Sequence, residues 1–225
     1  MPEPVLYLFI AVAAYLLGSI PTGYLVAKAK GIDIRTVGSG NIGATNAMRV
    51  LGKPAGIAVL LVDALKGYAA VAWLAPMMFD WLAPHSFGLY VPFAKSSVEL
   101  QTKFQVLAGV CAVLGHNYTC WLKFKGGKGI ATSAGVFLAL APLAVGIAVA
   151  VFALAVIVTR YVSIGSVAAG VALPIAVWFT RESMLLRIVT IALGALAIYK
   201  HKTNLQRLAA GTENRIGGQP KESAK

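Results

Sequence analysis

Carboxylates are scarce in this chain: 225 residues hold eight Asp and Glu against 20 Lys and Arg. Charged residues of both signs reach only 12%, about half the roughly 25% usual in soluble domains. Outside the tail few acidic residues lie near the polar clusters described below, Asp33 being the closest, which disfavours chemistry built on a carboxylate-bound divalent metal. Cysteine is sparse too. Cys111 and Cys120 sit nine apart in one expected helix, about 13 Å along its axis, too far for a disulfide. Neither has a metal-ligand spacing, so both read as small buried apolar side chains. A basic stretch ahead of the first apolar run is also missing. Met1-Pro2-Glu3-Pro4 carries no Lys or Arg, so the first segment reads as a retained membrane helix rather than a cleaved signal. Short segments of alternating polarity are absent, which excludes a transmembrane barrel.

What remains is apolar. Hydrophobic residues make up 58% of the chain, mean hydropathy is +0.76, and several runs reach the roughly 20 residues a helix needs to cross about 30 Å of hydrocarbon. Candidate spans are Val5 to Ala27, Pro54 to Phe79, Phe104 to Leu122, Ile130 to Thr159, Val162 to Thr180 and Met184 to Tyr199. The fourth, as one helix, would run about 45 Å, so a break is expected at Pro142. The expected architecture is an all-α membrane bundle of seven helices in one domain, 1–225, with its N-terminus outside and its C-terminus cytoplasmic. That layout puts 15 of the 20 Lys and Arg inside and four outside, in line with the positive-inside rule. Trp81, Phe87, Tyr90 and Phe93 in the 80–103 loop have the look of an interfacial segment. The basic residues are scattered over several loops, without the basic helix or aromatic-interleaved surface of a nucleic-acid binder.

Three polar clusters punctuate the apolar runs. The first, GSGNIGATNAMR from Gly38 to Arg49, combines Gly38, Gly40 and Gly43, which let backbone N–H groups crowd an anion, with the donors Ser39, Asn41, Thr45, Asn46 and Arg49. The guanidinium of Arg49 suits phosphate. A solvated turn-rich linker would use the same residue types. The second, GHNYTCWLKFKGGKG from Gly115 to Gly129, ends in Gly126-Gly127-Lys128-Gly129 at an expected helix start, an anion nest with a lysine charge. It is not a nucleotide-binding Walker loop, which wants Gly where Leu122 stands and Ser or Thr where Gly129 stands. His116 and Asn117 there read as a pair that closes helix packing through hydrogen bonds rather than as functional groups. In the third, KHKTNLQRLAAGTENR from Lys200 to Arg215, His201 and Asn204 share a face if helix continues. Glu213 is expected to tie down the tail through Arg207 or Arg215. Asp63 and Lys66, three apart inside the second span, read as an internal ion pair.

The order and spacing of these three clusters resemble the three motifs of the bacterial acyl-phosphate:glycerol-3-phosphate acyltransferases, the PlsY family, over nearly the whole chain. Tyr118-Thr119 and Lys200 depart slightly from that pattern. The resemblance implies seven membrane helices in the bacterial cytoplasmic membrane, with the active site on the cytoplasmic side. It implies a site of Ser39, Arg49, Lys128, His201 and Asn204, with Thr45, Asn46 and Ser166 close by and the glycines, Gly129 included, cradling phosphate. It further implies glycerol-3-phosphate and a fatty acyl phosphate as substrates, a lipid environment, and neither metal nor cofactor. Ser39 is then a hydrogen-bond donor or a nucleophile. Acylation from coenzyme A finds no support in a His-x4-Asp pattern, because Tyr90, Trp121 and Gln206 follow His85, His116 and His201 at that interval. An organic-phosphate transporter is the alternative, against which stands the clustering on one face rather than at mid-membrane.

Overall fold

The structure, a computed structural model, describes residues 3–86, 95–180 and 182–217, and every regular element among them is helical. The chain divides into two compact units, Met1–Leu140 and Ala141–Lys225.

In the first unit, α1 (Glu3–Ser19) gives way to α2 (Thr22–Lys28) at Pro21. Pro21 has no N–H to continue the ladder. Its φ of −88° and ψ of 71° make an inverse γ-turn closed by the Thr22 N–H on the Ile20 carbonyl at 3.0 Å. After α3 (Ala44–Leu51), α4 (Lys53–Ala69) runs through a wider π-type turn at Ala70–Leu74 into α5 (Ala75–Ser86). Then come α6 (Lys95–Asn117), a 3₁₀ turn at Cys120–Leu122 and α7 (Ile130–Leu140). Helices α1 and α6 lie side by side and parallel. The Tyr7 and Phe104 rings meet at 4.4 Å near one end; at the other, β-carbons on Gly18 and Gly115 would strike the backbone of Ala112 and Tyr15. Leu6, Ile10, Ala14, Phe104, Ala108 and Ala112 form the buried seam. Helix α7 docks on α4 where Gly67 faces the Thr132 carbonyl and Gly135 the Ala64 carbonyl. Small residues give this close approach in a solvent that offers no hydrophobic drive between helices.

The second unit contains α8 (Pro142–Thr159), α9 (Val162–Phe179), α10 (Met184–Lys200) and α11 (Lys202–Ala209). The expected break before Pro142 is present: Ala141, at φ of −148° and ψ of 68°, is out of the helical region and Pro142 opens α8. Pro174 in α9 leaves the Gly170 carbonyl without its helical donor, and a β-carbon on Gly194 of α10 would meet that carbonyl. Helices α10 and α11 bend by 51° at His201. Phe179, Ile157 and Val158 expose 79%, 74% and 73% of their surface, a distribution suited to contact with lipid tails.

The expectation of seven membrane helices is corrected. Among the described residues four helices are long and apolar enough to cross a membrane, covering Pro4–Lys28, Lys53–Trp81, Pro142–Thr159 and Val162–Phe179, and five if bent α10–α11 counts as one span. Helix α6 has 23 residues, but Glu99, Gln101, Lys103 and Gln105 crowd its first half. Helix α7 has 11 residues, about 16 Å against about 30 Å of hydrocarbon. The charge count was drawn for seven crossings and does not carry over to four or five. Phe87, Tyr90 and Phe93 of the expected interfacial loop lie outside the described residues, while Trp81 is exposed.

Candidate active site

Clusters one and two share a floor. Leu122 from the second packs in one buried group with Ile42 and Ala47 from the first, with Ile34 just ahead of it, and with Ala27 and Val59 from α2 and α4. Above that floor the loop before α3 is organised by Asn46, which is 1% exposed. Its Nδ2 donates to the carbonyls of Ile34, Val37 and Asn41 at 3.3, 3.1 and 2.9 Å. Its Oδ1 accepts the Ser39 N–H at 2.8 Å and lies 3.4 Å from an Arg49 guanidinium nitrogen. Asn46 thus spends its amide on the loop, while Ser39, Thr45 and Arg49 stay exposed. Gly38 and Gly40, at φ of +61° and +68°, provide the left-handed corners on either side of Ser39. Asn41 closes the loop by accepting the Gly43 N–H at 2.8 Å. Asp33, the nearest carboxylate, is exposed and held by Arg35, whose Nε and Nη2 donate to it at 2.9 and 2.6 Å. Those hydrogen bonds lower its pKa to about 2, so it is a poor proton acceptor.

In cluster two the turn after α6 runs back along that helix. The Gly126 N–H donates to the Asn117 carbonyl at 3.2 Å and the Gly127 N–H to the His116 carbonyl at 3.0 Å. These two N–H groups, expected to face an anion, are used inside the protein. A β-carbon at 126 would strike the His116 carbonyl, one at 127 the His116 ring, and one at 129 the Asn117 side chain. The glycines therefore secure close approach, and Lys128, half-buried, is left beside the start of α7, where a helix offers its first-turn N–H groups.

Cluster three lies in the second unit and is built around Glu213, 8% exposed. The Asn204 Nδ2 donates to its Oε1 at 2.6 Å and the Arg207 Nε to its Oε2 at 2.8 Å. Burial pushes the Glu213 carboxyl up, but the bonds from Arg207 and Asn204, with the nearby Ser163 hydroxyl, outweigh it and hold the group below the usual range. Arg215 goes elsewhere, donating from Nε to the Tyr161 hydroxyl at 2.8 Å, and the Ile216 N–H closes the tail on the Arg160 carbonyl at 2.8 Å. His201, at the bend and 3% exposed, sets Nδ1 2.8 Å from the Ala197 carbonyl. A carbonyl only accepts, so Nδ1 carries a hydrogen whatever the charge of the ring. Ser166 is buried in α9 and donates to the Val162 carbonyl at 2.9 Å.

A family model described as glycerol-3-phosphate acyltransferase matches residues 8–211. The chain belongs to the glycerol-3-phosphate acyltransferase family. Among curated relatives of that name, one from Trichlorobacter lovleyi is 46% identical over 93% of this chain and 97% of its own. Another, from Geobacter metallireducens, is 48% identical over 90% and 94%. Crystal structures of PlsY (YgiH), an integral membrane glycerol 3-phosphate acyltransferase, superpose with TM-scores of 0.78 for a glycerol 3-phosphate form and 0.76 for a lysophosphatidic acid form. Identities are 36% and 35%, covering 94% of this chain and 96% and 95% of those. Like them, the chain is a multi-pass membrane protein. In this acyltransferase, motif-level reading missed the link from motif two to the membrane interior. Asp63 pairs with Lys66 at 2.8 Å as expected, but also accepts from the Thr22 hydroxyl at 3.0 Å and faces His116 Nδ1 at 3.7 Å. Two ionisable residues buried inside a span were the signal for it.

Proposed function

We propose that this chain transfers a fatty acyl group from an acyl phosphate to the sn-1 hydroxyl of glycerol-3-phosphate, giving lysophosphatidic acid and inorganic phosphate. The observation that carries the reading is the likeness, over 94% of the chain, to an acyltransferase known in forms with the acceptor and with the product. The acceptor oxygen bonds to the carbonyl carbon, the carbon–oxygen bond to phosphate breaks, and phosphate leaves with the electron pair. The hydroxyl proton passes to a phosphate oxygen of the substrate. Phosphate is a good leaving group, so orientation and charge neutralisation supply most of the rate. Arg49, Lys128, His201 and Asn204 hold phosphate oxygens; Ser39, exposed between two glycine corners, donates a hydrogen bond. Gly38, Gly40, Asn41, Gly43, Asn46, Gly126, Gly127 and Gly129 shape the phosphate-binding backbone, and Thr45 and Ser166 are further substrate-binding residues.

The site faces the cytoplasm of a bacterial cell. Support comes from Lys28, Lys30, Arg35, Arg49 and Lys53 around cluster one and Lys123, Lys125 and Lys128 in cluster two, a concentration of the sign retained inside. A cysteine placed at Lys123 should react with a membrane-impermeant maleimide only in inverted vesicles; labelling in intact cells would reverse the orientation.

For the reaction, purified protein receives glycerol-3-phosphate with palmitoyl phosphate or, separately, palmitoyl-CoA. Lysophosphatidic acid and phosphate are expected from the first donor alone, with losses of at least about a hundredfold in Arg49→Ala and His201→Ala. Product from neither donor, with glycerol-3-phosphate accumulating in proteoliposomes, would hand the protein to the transporters. Acyl-enzyme trapped on Ser39 would replace its donor role by nucleophilic attack.

A further inference from the structure

We infer that His116 is a positioning residue: braced by Asp63, its ring sets the height of the Gly126–Gly129 turn and so where Lys128 presents its ammonium to a substrate phosphate. The inference rests on the reading above that Lys128 meets phosphate, and it adds two residues to which no role in the reaction has been given. His116 stands in the last turn of α6 and is 5% exposed. One ring edge, Nδ1, lies 3.7 Å from Asp63 Oδ1. The other edge, Nε2, occupies the space a β-carbon on Gly127 would need. The same residue's carbonyl accepts the Gly127 N–H at 3.0 Å. The turn is therefore held at Gly127 from two directions by one residue, and Lys128 follows directly in the chain.

The brace behind the ring is itself fixed. Asp63 is held by the Lys66 ammonium at 2.8 Å and the Thr22 hydroxyl at 3.0 Å, and Lys66 Nζ donates to the Ile20 carbonyl at 2.9 Å. A continuous line of polar contacts thus runs from the break between α1 and α2, across α4, to the underside of the lysine turn. Filling the space under Gly127 would take only an apolar ring. A carboxylate and an ammonium buried in a span carry a desolvation cost that filling does not require. Fixing a turn to within a fraction of an ångström does require a side chain whose own position is determined, the general condition for a site that works by placement.

The test uses the full-length protein in detergent micelles, with inorganic phosphate binding measured by titration calorimetry and initial rates measured with glycerol-3-phosphate and palmitoyl phosphate. His116→Ala should weaken phosphate binding about tenfold and raise KM for the phosphate substrates by a similar factor, with a smaller fall in kcat. His116→Gln, whose amide reaches toward the Nε2 position, should recover most of the loss. Gly127→Ala should damage the wild type but add nothing in the His116→Ala background, because its clash partner is gone. Unchanged phosphate affinity in His116→Ala, a wild type that binds no phosphate, or Gln no better than Ala would each overturn the inference. Should His116→Ala not fold, Gly127→Ala and His116→Gln decide: affinities equal to wild type in both reject it. Phosphate binding that responds to His116 in an enzyme making no lysophosphatidic acid would reject the acyltransfer reading and keep the positioning role.

Discussion

At the scale of single residues, two buried side chains show that the loops are built from within. Asn46 joins four backbone segments of its own loop through one amide. Removing it leaves several carbonyls and an N–H short of partners, each costing about 1–3 kcal/mol where water cannot reach. Asn46→Ala should therefore lower thermal stability and reduce kcat/KM more than about tenfold. The contrast is Ser39→Ala, which should reduce activity without moving the unfolding midpoint. Glu213 plays the same part for the tail, joining Asn204 and Arg207. Its carboxyl is held below the ordinary glutamate value of 4.5, so the folded state binds fewer protons than the unfolded one as pH approaches that value from above. Its contribution is fully present above 4.5 and is lost as pH falls through the depressed folded value. Melting curves of the wild type should show that acid-dependent loss, and those of Glu213→Gln should lack its share of it.

At the scale of elements, helix ends and close crossings decide where polar groups go. Lys66 serves the carbonyl exposed by the Pro21 break and the Asp63 carboxylate together. Lys66→Met leaves a buried carboxylate without its ammonium and should cost about 3–5 kcal/mol, whereas Lys66→Met combined with Asp63→Leu should be milder than Lys66→Met alone. A double variant as unstable as the single one would mean that the pair does more than balance its own charge. The crossing of α9 and α10 depends on Gly194 passing the carbonyl freed by Pro174. Gly194→Leu should separate the two helices and lower the detergent melting temperature, by about 1–3 kcal/mol for an overpacked contact.

At the scale of the whole molecule, the solvent is lipid. Span-length apolar helices and large exposed aliphatic side chains imply that the protein stays with the membrane pellet after alkaline carbonate and leaves it only with detergent. Release by carbonate alone would contradict a multi-pass protein. Helices α6 and α7 bury themselves against α1 and α4 rather than meeting the length and polarity of an independent span. A polar first half and an 11-residue helix are tolerable where protein neighbours, instead of lipid, line their faces.

Composition and apolar run length were enough to determine the helical membrane class and the break before Pro142, and the family resemblance of the three clusters is what proposes Ser39, Arg49, Lys128, His201 and Asn204 as site residues. Each of these is local: a stretch of neighbouring residues carries the whole signal. Tertiary structure alone decided how many helices reach span length unaided, since tilt, bending and protein cover are not written in a hydropathy run. It alone turned Asn46 inward, spent the N–H groups of Gly126 and Gly127 on α6, and set Asp63 behind His116. Those pairings join residues that are adjacent only after the helices have packed, and a hydrogen-bonding group takes whichever partner packing brings within about 3 Å.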